Sequence, residues 1–295
     1  MKELVVLSGK GGTGKTSVVG SFAAMAEDKV LVDCDVDAAD LHLILTPNRV
    51  EEHEFWSGQT AYVDDVQCIQ CGLCQDLCRF NAIKDYKVNP LFCEGCAFCS
   101  HVCPVEAIKM KDNMAGHWYI SETKYGPLVH ARLGIAEENS GKLVSTVRRQ
   151  AREYAEKHGL NYILSDGPPG IGCPVISSLS GADLALLVTE PTLSGIHDLE
   201  RVIGVCRYFE VPPVVCINKF DINEENARQI EDYCHQKGVQ VATKIPFDKE
   251  VIGAVSSGVP VVIHSNGPAS KSIRELWTQV WKTLSSSNRP GCEVH

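Results

Sequence analysis

The chain lacks several features that define other protein classes. Among its 295 residues no apolar run approaches the ~20 residues of a membrane-spanning helix, and the N-terminus enters its first apolar run without a signal-peptide pattern. Basic residues are fewer than acidic ones, 28 against 37, which does not favour binding to a nucleic-acid backbone. We therefore expect a cytoplasmic protein whose partners include neither nucleic acid nor a membrane.

Cysteine, in contrast, is abundant. The chain has 14 cysteines, and in a reducing cytosol such a number argues for metal ligation and against a disulfide framework. Residues 68–78 and 93–103 both follow the spacing C-x₂-C-x₂-C-x₃-C. The two runs form an internal repeat offset by 25 residues, and the Ala-Ile-Lys of residues 82–84 recurs at 107–109.

This spacing is similar to that of the bacterial two-cluster ferredoxins, in which the fourth cysteine of each run ligates the cluster of the other run. The resemblance implies two [4Fe–4S] clusters. The first would be held by Cys68, Cys71, Cys74 and Cys103, and the second by Cys78, Cys93, Cys96 and Cys99. Zinc and disulfides are the less favoured alternatives. The first run departs from the pattern at Arg79, where proline is usual, and an arginine there could alter the cluster's potential or face a partner.

Residues 9–16 form a glycine-rich stretch that follows an apolar run and precedes a helical pattern. Strand, glycine-rich turn and helix is the context of a phosphate-binding loop, whose backbone N–H groups point at phosphate oxygens. The predicted nucleotide-binding residues here are Gly11, Gly12, Thr13, Gly14, Lys15, Thr16 and Ser17. Lys15 would reach the β- and γ-phosphates, and the Thr16 hydroxyl would bind Mg²⁺. A glycine-rich turn without a ligand is the alternative.

Lys10 adds a second lysine to this pattern. With it, the stretch resembles the deviant P-loop ATPases, a family that includes MinD, ParA, the Mrp-type iron–sulfur carriers and the nitrogenase iron protein. The resemblance implies a dimer in which Lys10 crosses the interface and acts on the partner's nucleotide. A solvated surface lysine is the alternative.

Carboxylates follow two of the apolar strands. Asp33, Asp35 and Asp37 follow one strand, and Asp166 follows another, before a Gly-Pro-Pro-Gly turn. Ligands bind at the carboxyl ends of strands in open α/β folds. The resemblance implies that Asp35, the best match, orients the attacking water near Mg²⁺, that Asp166 holds a Mg²⁺-bound water, and that the Gly170 amide senses the γ-phosphate. Helix capping and solvated loop acids are the alternatives.

The family resemblance also implies an adenine site at the ends of two later strands. The residues predicted there are Asn218, Lys219, Pro246 and Asp248. Asn218 offers both a donor and an acceptor, as the edge of a purine requires.

The cysteines outside the two runs lack cluster spacing. Cys173 lies seven residues beyond Asp166, where the nitrogenase iron protein carries a cysteine that ligates a cluster shared by two subunits. The second bridging cysteine has no counterpart, so we expect Cys173 to be a small buried or interface residue. Packing residues or spare thiols are expected at Cys34, Cys206, Cys216, Cys234 and Cys292.

Apolar strands alternating with helical segments predict an α/β fold with a doubly wound, mostly parallel sheet. Into it is spliced an α+β ferredoxin module. The predicted boundaries are 1–59 and 113–284 for the ATPase domain, 60–112 for the module and 285–295 for a disordered tail, with the polar residues 51–59 at the first boundary. A C-terminal helix with one apolar stripe is expected to pack on the sheet, in preference to binding a membrane.

The resemblance implies a slow, Mg²⁺-dependent ATPase, stimulated by a partner, that forms a homodimer, or a heterodimer with a paralogue, around two Mg·ATP. By analogy to the nitrogenase iron protein, we expect the nucleotide state to gate electron transfer to an unidentified redox partner protein. The alternative is a redox-sensing spatial regulator or assembly scaffold. An iron–sulfur cluster carrier is less favoured, because all the ligands are committed to permanent sites.

Overall fold

The structure is a computed structural model that describes residues 1–134 and 140–286. Within them the chain divides into two compact units, one of residues 1–52, 118–132 and 140–286, and one of residues 53–117 with 133–134. The first unit contains the glycine-rich loop, and the second contains both cysteine runs. Of the predicted tail, Ser285 and Ser286 end the last helix. The rest of that prediction, including Cys292, lies outside the described residues.

Strands and helices alternate through the first unit, as predicted. Across both units of the described chain, the strands are β1 (Lys2–Ser8), β2 (Lys29–Asp33), β3 (Asn48–Val63), β4 (Ile83–Lys84), β5 (Lys87–Val88), β6 (Ile108–Thr123), β7 (Gly126–Leu133), β8 (Tyr162–Pro169), β9 (Leu184–Thr189), β10 (Pro213–Asn218) and β11 (Gln240–Ile245). The helices are α1 (Lys15–Met25), α2 (Leu41–Leu45), α3 (Leu73–Asp76), α4 (Phe98–Val102), α5 (Ser140–His158), α6 (Cys173–Leu179), α7 (Leu193–Tyr208), α8 (Glu224–Gln236), α9 (Lys249–Ser256), α10 (Val261–His264) and α11 (Pro268–Ser286).

Nine strands form one sheet in the order β11-β10-β9-β1-β8-β2-β7-β6-β3. β1 pairs in parallel with β8 and β9, and β2 pairs in parallel with β8 and β7. The pairs β9–β10 and β10–β11 are parallel too. The predicted mostly parallel α/β sheet is therefore confirmed.

Residues 51–59 belong to β3, a strand that their weak patterning does not reveal. β3 is the last strand in the sheet order, and most of its side chains before Gly58 are exposed. An edge strand with few buried side chains lacks the apolar alternation by which strands are recognised.

The side chains of β1 alternate between two apolar cores of the first unit. Leu4 and Val6 belong to one core, and Val5 and Leu7 belong to the other. A central strand covered on both faces is expected to be apolar at every position. The sheet therefore places the end of β1, and the loop that follows it, on a rigid support.

The C-terminal helix α11 packs into the first of these cores, as predicted. Its apolar stripe is buried at Ile273, Leu276, Val280 and Leu284. Trp277 completes the contact, with its ring centroid 4.9 Å from that of Phe22 on α1. No helix in the described part of the chain combines the length and the apolar character needed to cross a membrane.

The second unit repeats one backbone conformation at the 25-residue offset of its sequence. Gln70 and Gly95 both have positive φ, of 56° and 63°, as do Asn81 and Glu106, at 53° and 54°. The residues one position before the helices, Gly72 for α3 and Ala97 for α4, are left-handed as well. Because non-glycine residues rarely adopt this conformation, its recurrence shows that the sequence repeat corresponds to a structural repeat.

Candidate nucleotide and metal sites

The carboxyl ends of three neighbouring strands meet at the glycine-rich loop. β1 leads into the loop, β2 ends at Asp33, and β8 carries Asp166. In the sheet register Asp166 is level with Val6 of β1 and with Asp33 of β2. The fold thus brings the loop and the predicted carboxylates to one edge of the sheet, where open α/β folds bind ligands.

Glycine is required in this loop at Gly14. Its φ is 90°, and a Cβ there would lie 2.3 Å from Asn218 Nδ2. α1 begins at the next residue, so its N-terminal N–H groups face the loop's interior. Among the described residues, Thr13 Oγ1 is buried without a hydrogen-bond partner. An unsatisfied hydroxyl in such a loop fits a site completed by a polar ligand.

A cavity of about 510 Å³ opens beside the loop. Its wall includes every residue of the predicted phosphate-binding stretch, Gly11, Gly12, Thr13, Gly14, Lys15, Thr16 and Ser17. Asp35, Asp37 and Pro169 from the two predicted switch segments line it too. The volume lies within the ~300–1,000 Å³ of small-molecule sites, so the cavity is large enough for a nucleotide.

Lys15 is the buried cation of this cavity. Its Nζ lies 2.6 Å from Asp166 Oδ1 and 3.9 Å from Asp35 Oδ2. Burial acts to lower the pKa of Lys15, but the charge and hydrogen bond of Asp166 outweigh burial, so the pKa lies above its ordinary value. Lys15 is therefore a fixed positive charge at the place predicted for the phosphates.

Asp33 and Asp35 differ in what they contact. Asp33 is buried, and its carboxylate accepts hydrogen bonds from the backbone N–H groups of Asp35, at 3.1 Å, and Leu41, at 3.3 Å. Burial, and then the charge of Asp166, raise the pKa of Asp33 well above its usual range. Burial raises the pKa of Asp35 to about 6, against the opposing charge of Lys15. Asp33 thus fixes the loop, while Asp35 faces the cavity as a carboxyl that can exchange a proton near neutral pH.

Lys10 does not line the cavity of its own chain. Its Nζ lies 2.6 Å from Glu190 Oε1 and donates to Thr192 Oγ1 at 3.1 Å and Ser194 Oγ at 3.3 Å. Glu190 Oε2 also pairs with Lys219 Nζ, at 3.2 Å. Partial burial acts to raise the pKa of Glu190, but the hydrogen bonds from both lysines outweigh it and lower the pKa. Glu190 therefore holds Lys10 away from the cavity as a charged pair.

Sequence reasoning missed Glu190. The residue follows β9, which is the neighbour of β1 in the sheet. The rule that identified Asp35 and Asp166, a polar residue directly after an apolar strand, would have found it as well.

The side chains of Asn218 and Lys219 donate hydrogen bonds to the backbone of the glycine-rich loop. Asn218 Nδ2 donates to the carbonyl of Thr13 at 2.7 Å, and its Oδ1 accepts from the backbone N–H of Lys219 at 3.0 Å. Lys219 Nζ donates to the carbonyl of Gly12 at 3.2 Å. Both atoms of the Asn218 amide thus bond to protein groups, and neither residue lines the cavity wall.

Three other predicted contact residues lie outside the cavity wall. The Gly170 N–H donates to the carbonyl of Ser8 at 2.9 Å. Asp248 caps α9, accepting from the N–H of Glu250 at 3.0 Å. Pro246 is half-buried beside it. The structure therefore lines the cavity with the predicted phosphate-binding residues, whereas Gly170 and the predicted base contacts lie outside its wall.

Each predicted set of cluster ligands walls a cavity of its own in the second unit. The larger cavity, of about 330 Å³, is lined by Cys78, Cys93, Cys96 and Cys99, with Cys74. The smaller cavity, of about 20 Å³, is lined by Cys68, Cys71, Cys74 and Cys103. Across the described residues, no three His, Cys, Asp or Glu side chains converge as ligands of a single metal ion. Each thiol set instead surrounds a volume. The larger volume has room for a multi-atom cluster, and the smaller one has room for about one water molecule.

Backbone N–H groups point at the sulfurs of these cavities. The N–H of Ala82 donates to Cys78 Sγ, and that of Ala107 donates to Cys103 Sγ, both at 3.3 Å. The two bonds are related by the 25-residue repeat. Hydrogen bonds to sulfur are among the features that tune iron–sulfur clusters, so the donor set fits [4Fe–4S] ligation.

The cysteines outside the two runs fall into two groups. Cys34, Cys206, Cys216 and Cys234 are buried, as expected of packing residues. Cys173 is exposed, so it is not a buried residue, and its expected position at an interface stays a prediction. It is the first residue of α6, directly after Gly172.

Comparisons with known proteins agree with this geometry. The model of the CobQ/CobB/MinD/ParA nucleotide-binding domain matches residues 4–261. An uncharacterized protein of Methanocaldococcus jannaschii is 33% identical over 281 residues, covering 94% of this chain and 96% of that protein. An iron–sulfur cluster carrier protein of Pyrococcus abyssi is 24% identical over 292 residues, covering 93% and 83%.

The fold has solved counterparts. The structure of the septum site-determining protein MinD of Pyrococcus horikoshii, complexed with Mg-ADP, superposes with a TM-score of 0.61 at 19% identity, covering 98% of this chain and 99% of that one. The family match spans most of the chain and begins within β1. The chain therefore belongs to the CobQ/CobB/MinD/ParA nucleotide-binding family and has the fold of its MinD/ParA-type P-loop ATPases.

Proposed function

We propose that this chain is a Mg²⁺-dependent ATPase whose nucleotide state controls electron transfer through two [4Fe–4S] clusters. One observation carries the proposal. A single chain contains a cavity lined by a complete phosphate-binding loop and two cavities whose walls include the two four-thiol sets of ferredoxin spacing. Membership of the family supports the nucleotide half, and the arrangement of the cysteines supports the cluster half.

In the first unit, the loop N–H groups and the Lys15 ammonium would bind the phosphates. Thr16, Asp166 and Asp35 would hold Mg²⁺ and its waters, and Mg²⁺ would neutralise charge developing on the phosphates. Lys15 is hydrogen-bonded to Asp166. When phosphate binds, Lys15 would therefore exchange part of its interaction with Asp166 for an interaction with the phosphate. This exchange would transmit occupancy of the site to β8 and the turn that follows it.

Lys10 would act in a dimer, either a homodimer or a heterodimer with a paralogue. To reach the nucleotide of a partner subunit it must leave Glu190, Thr192 and Ser194. There it would stabilise negative charge on the γ-phosphate, as cationic fingers do. Formation of the active dimer is thus coupled to the breaking of a charged pair.

In the second unit, each four-thiol set would hold one cluster, which accepts and donates single electrons. The chain's own contribution is to fix the thiolates and to direct backbone N–H groups at them. An unidentified redox protein would receive or supply the electrons.

The coupling is tested by reoxidation rates. Anaerobically purified protein is reduced with dithionite, freed of excess reductant and mixed with oxidised cytochrome c as a protein acceptor. We expect the rates with ATP and with ADP to differ by ~10-fold, the size of typical coupling between sites, and the difference to vanish in Lys15→Ala. Equal rates with ATP, with ADP and without nucleotide would remove the proposed coupling.

A cluster carrier is the second candidate, because a relative at 24% identity is named an iron–sulfur cluster carrier protein. The two functions differ in what leaves the protein. Incubation of the loaded chain with an apo-ferredoxin would transfer iron and sulfide from a carrier, and only electrons from the protein proposed here. ATPase activity stimulated by a partner, without electron transfer, would favour a spatial regulator or scaffold.

A further inference from the structure

The two thiol-walled cavities are related by the internal repeat. We call them the Arg79 cavity, whose wall includes Cys78, Cys93, Cys96 and Cys99, and the Pro104 cavity, whose wall includes Cys68, Cys71 and Cys103. Cys74 lines both. Residues 78–80 line the first cavity, and residues 103–105, offset by 25 positions, line the second. Residues 93–99 and 68–74 correspond in the same way. One chain thus holds two versions of the same site.

The walls of the two cavities differ in their charged residues. Arg79 occupies the wall position that Pro104 occupies in the other cavity, and Glu94 occupies that of Ile69. Both charged residues are exposed, and each directly follows a thiol ligand in the sequence. The Pro104 cavity has no charged residue in its wall. The two sites therefore have different electrostatic surroundings.

The thiols differ in their hydrogen bonds and burial as well. Cys93 Sγ accepts from the N–H of Ala61 at 3.5 Å, in addition to the bond to Cys78 in the same cavity. Cys99 is half-buried, whereas its repeat counterpart Cys74 is buried. Reduction adds negative charge, so a hydrogen bond to sulfur, access of water and a nearby cation all favour the reduced state. Of the differences described here, only Glu94 acts in the opposite sense.

We propose that the Arg79 cavity holds the cluster of higher midpoint potential and that Arg79 is the residue that separates the two potentials. This inference rests on the proposed function. Each cluster takes up one electron from a low-potential donor with no bond made or broken, and an electron delivered to either site comes to rest at the Arg79 cavity. Arg79 acts as a tuning residue, since it ligates neither cluster.

The test uses the full chain, purified anaerobically and titrated with dithionite while the EPR signal is followed. The wild type should show two separated midpoints. Arg79→Gln should lower the higher midpoint and leave the lower one in place, whereas Arg79→Lys, which keeps the charge, should leave both in place. The converse variant, Pro104→Arg, should raise the lower midpoint.

Two outcomes overturn the inference. In one, Arg79→Gln leaves both midpoints unchanged. In the other, it moves the lower midpoint or both midpoints equally. Iron and sulfide are measured first in every variant, since wild-type protein without clusters would refute the proposed function and not the role of Arg79. Pro104→Arg keeps the test decisive if Arg79→Gln fails to assemble its clusters.

Discussion

The two units of this chain reach their folded states by different means. The first has two apolar cores, one on each face of a central sheet, and its cavity is lined by a loop that rests on those cores. In the described part of the second, one small core cluster joins Ala61, Val63, Cys74, Ile83 and Ile108, with five further cysteines packed against it. A core this small supplies little stability by itself. If the proposed function is right, nucleotide would enter a preformed site in the first unit, whereas the iron–sulfur clusters would complete the core of the second.

Removal of iron should therefore destabilise the second unit and leave the first one folded. This is the largest effect that we expect. Chelation under mild conditions should speed amide hydrogen exchange in residues 53–117 by at least ~100-fold, because the proposed clusters would couple metal binding to folding there. Peptides from β1, β8 and β9 should keep their protection. Hydrogen-exchange mass spectrometry of loaded and iron-free protein measures both at once. Equal loss of protection in both units would show that the units fold as one.

Lys15→Ala is the reciprocal change in the first unit. It removes the cation of the cavity and leaves Asp166, which is 1% exposed, without its ion-pair partner. We expect ATP hydrolysis to fall at least ~100-fold and the free energy of unfolding of this unit to fall by ~3–5 kcal/mol. Iron content should not change.

The hydrolysis rate, urea denaturation and iron assay of Lys15→Ala are compared with those of Lys10→Ala. Lys10 lies outside the cavity wall, so its alanine variant should bind ATP as the wild type does and still fail to hydrolyse it. Unaltered hydrolysis by Lys15→Ala would contradict the assignment of the site.

Glu190→Gln tests whether the charge of Glu190 holds Lys10 away from the dimer interface. Loss of the charge weakens the hold on Lys10, whose Nζ lies 2.6 Å from Glu190 Oε1. Because the proposed dimer requires Lys10 to leave Glu190, the ATP-dependent dimer should form at ~3–10-fold lower protein concentration, a gain of about 1 kcal/mol, the size of a typical hydrogen bond. Analytical ultracentrifugation with ATP measures it. Weaker dimerisation would show that Glu190 supports the dimer instead.

The smallest effect concerns pH. Because burial raises the pKa of Asp35 to about 6, the nucleotide-free folded state holds this proton more tightly than the unfolded chain does, whose pKa is ~3.9. The contribution to stability is present below pH ~4 and is lost as pH rises through about 6. Asp35→Asn does not titrate, so it should gain stability relative to the wild type over this range.

Urea denaturation of both proteins between pH 4 and 7 measures that difference. Solvent screening of the partly exposed carboxylate keeps the effect modest. A difference in stability that does not change with pH would contradict the raised pKa.

Spacing in the sequence predicts a ligand set well when the ligands lie close together along the chain. The thiol sets and residues 11–17 could be assigned because cluster and phosphate sites impose fixed spacings on consecutive residues. Asp35 and Asp166 followed from the rule that parallel strands end at one edge. The structure brings all of these predicted residues to cavities, apart from Asp166, which lies beneath Lys15.

Other features depend on contacts between distant residues and leave no local pattern. Asn218 reaches Thr13, 205 residues away in the sequence, and Lys10 reaches Thr192, 182 residues away. The strand β3 is exposed along most of its length and lacks apolar alternation. Such features follow from packing in the folded chain, which neither residue spacing nor periodicity encodes.

Adenine nucleotide and two clusters should be found on one chain. Iron, acid-labile sulfide and bound ATP are measured in a single anaerobic preparation. We expect about eight irons and about eight sulfides per chain, as two [4Fe–4S] clusters require, together with one ATP that is lost in Lys15→Ala. Folded protein that binds ATP but contains far fewer irons, or that contains the clusters but binds no ATP, would contradict this expectation.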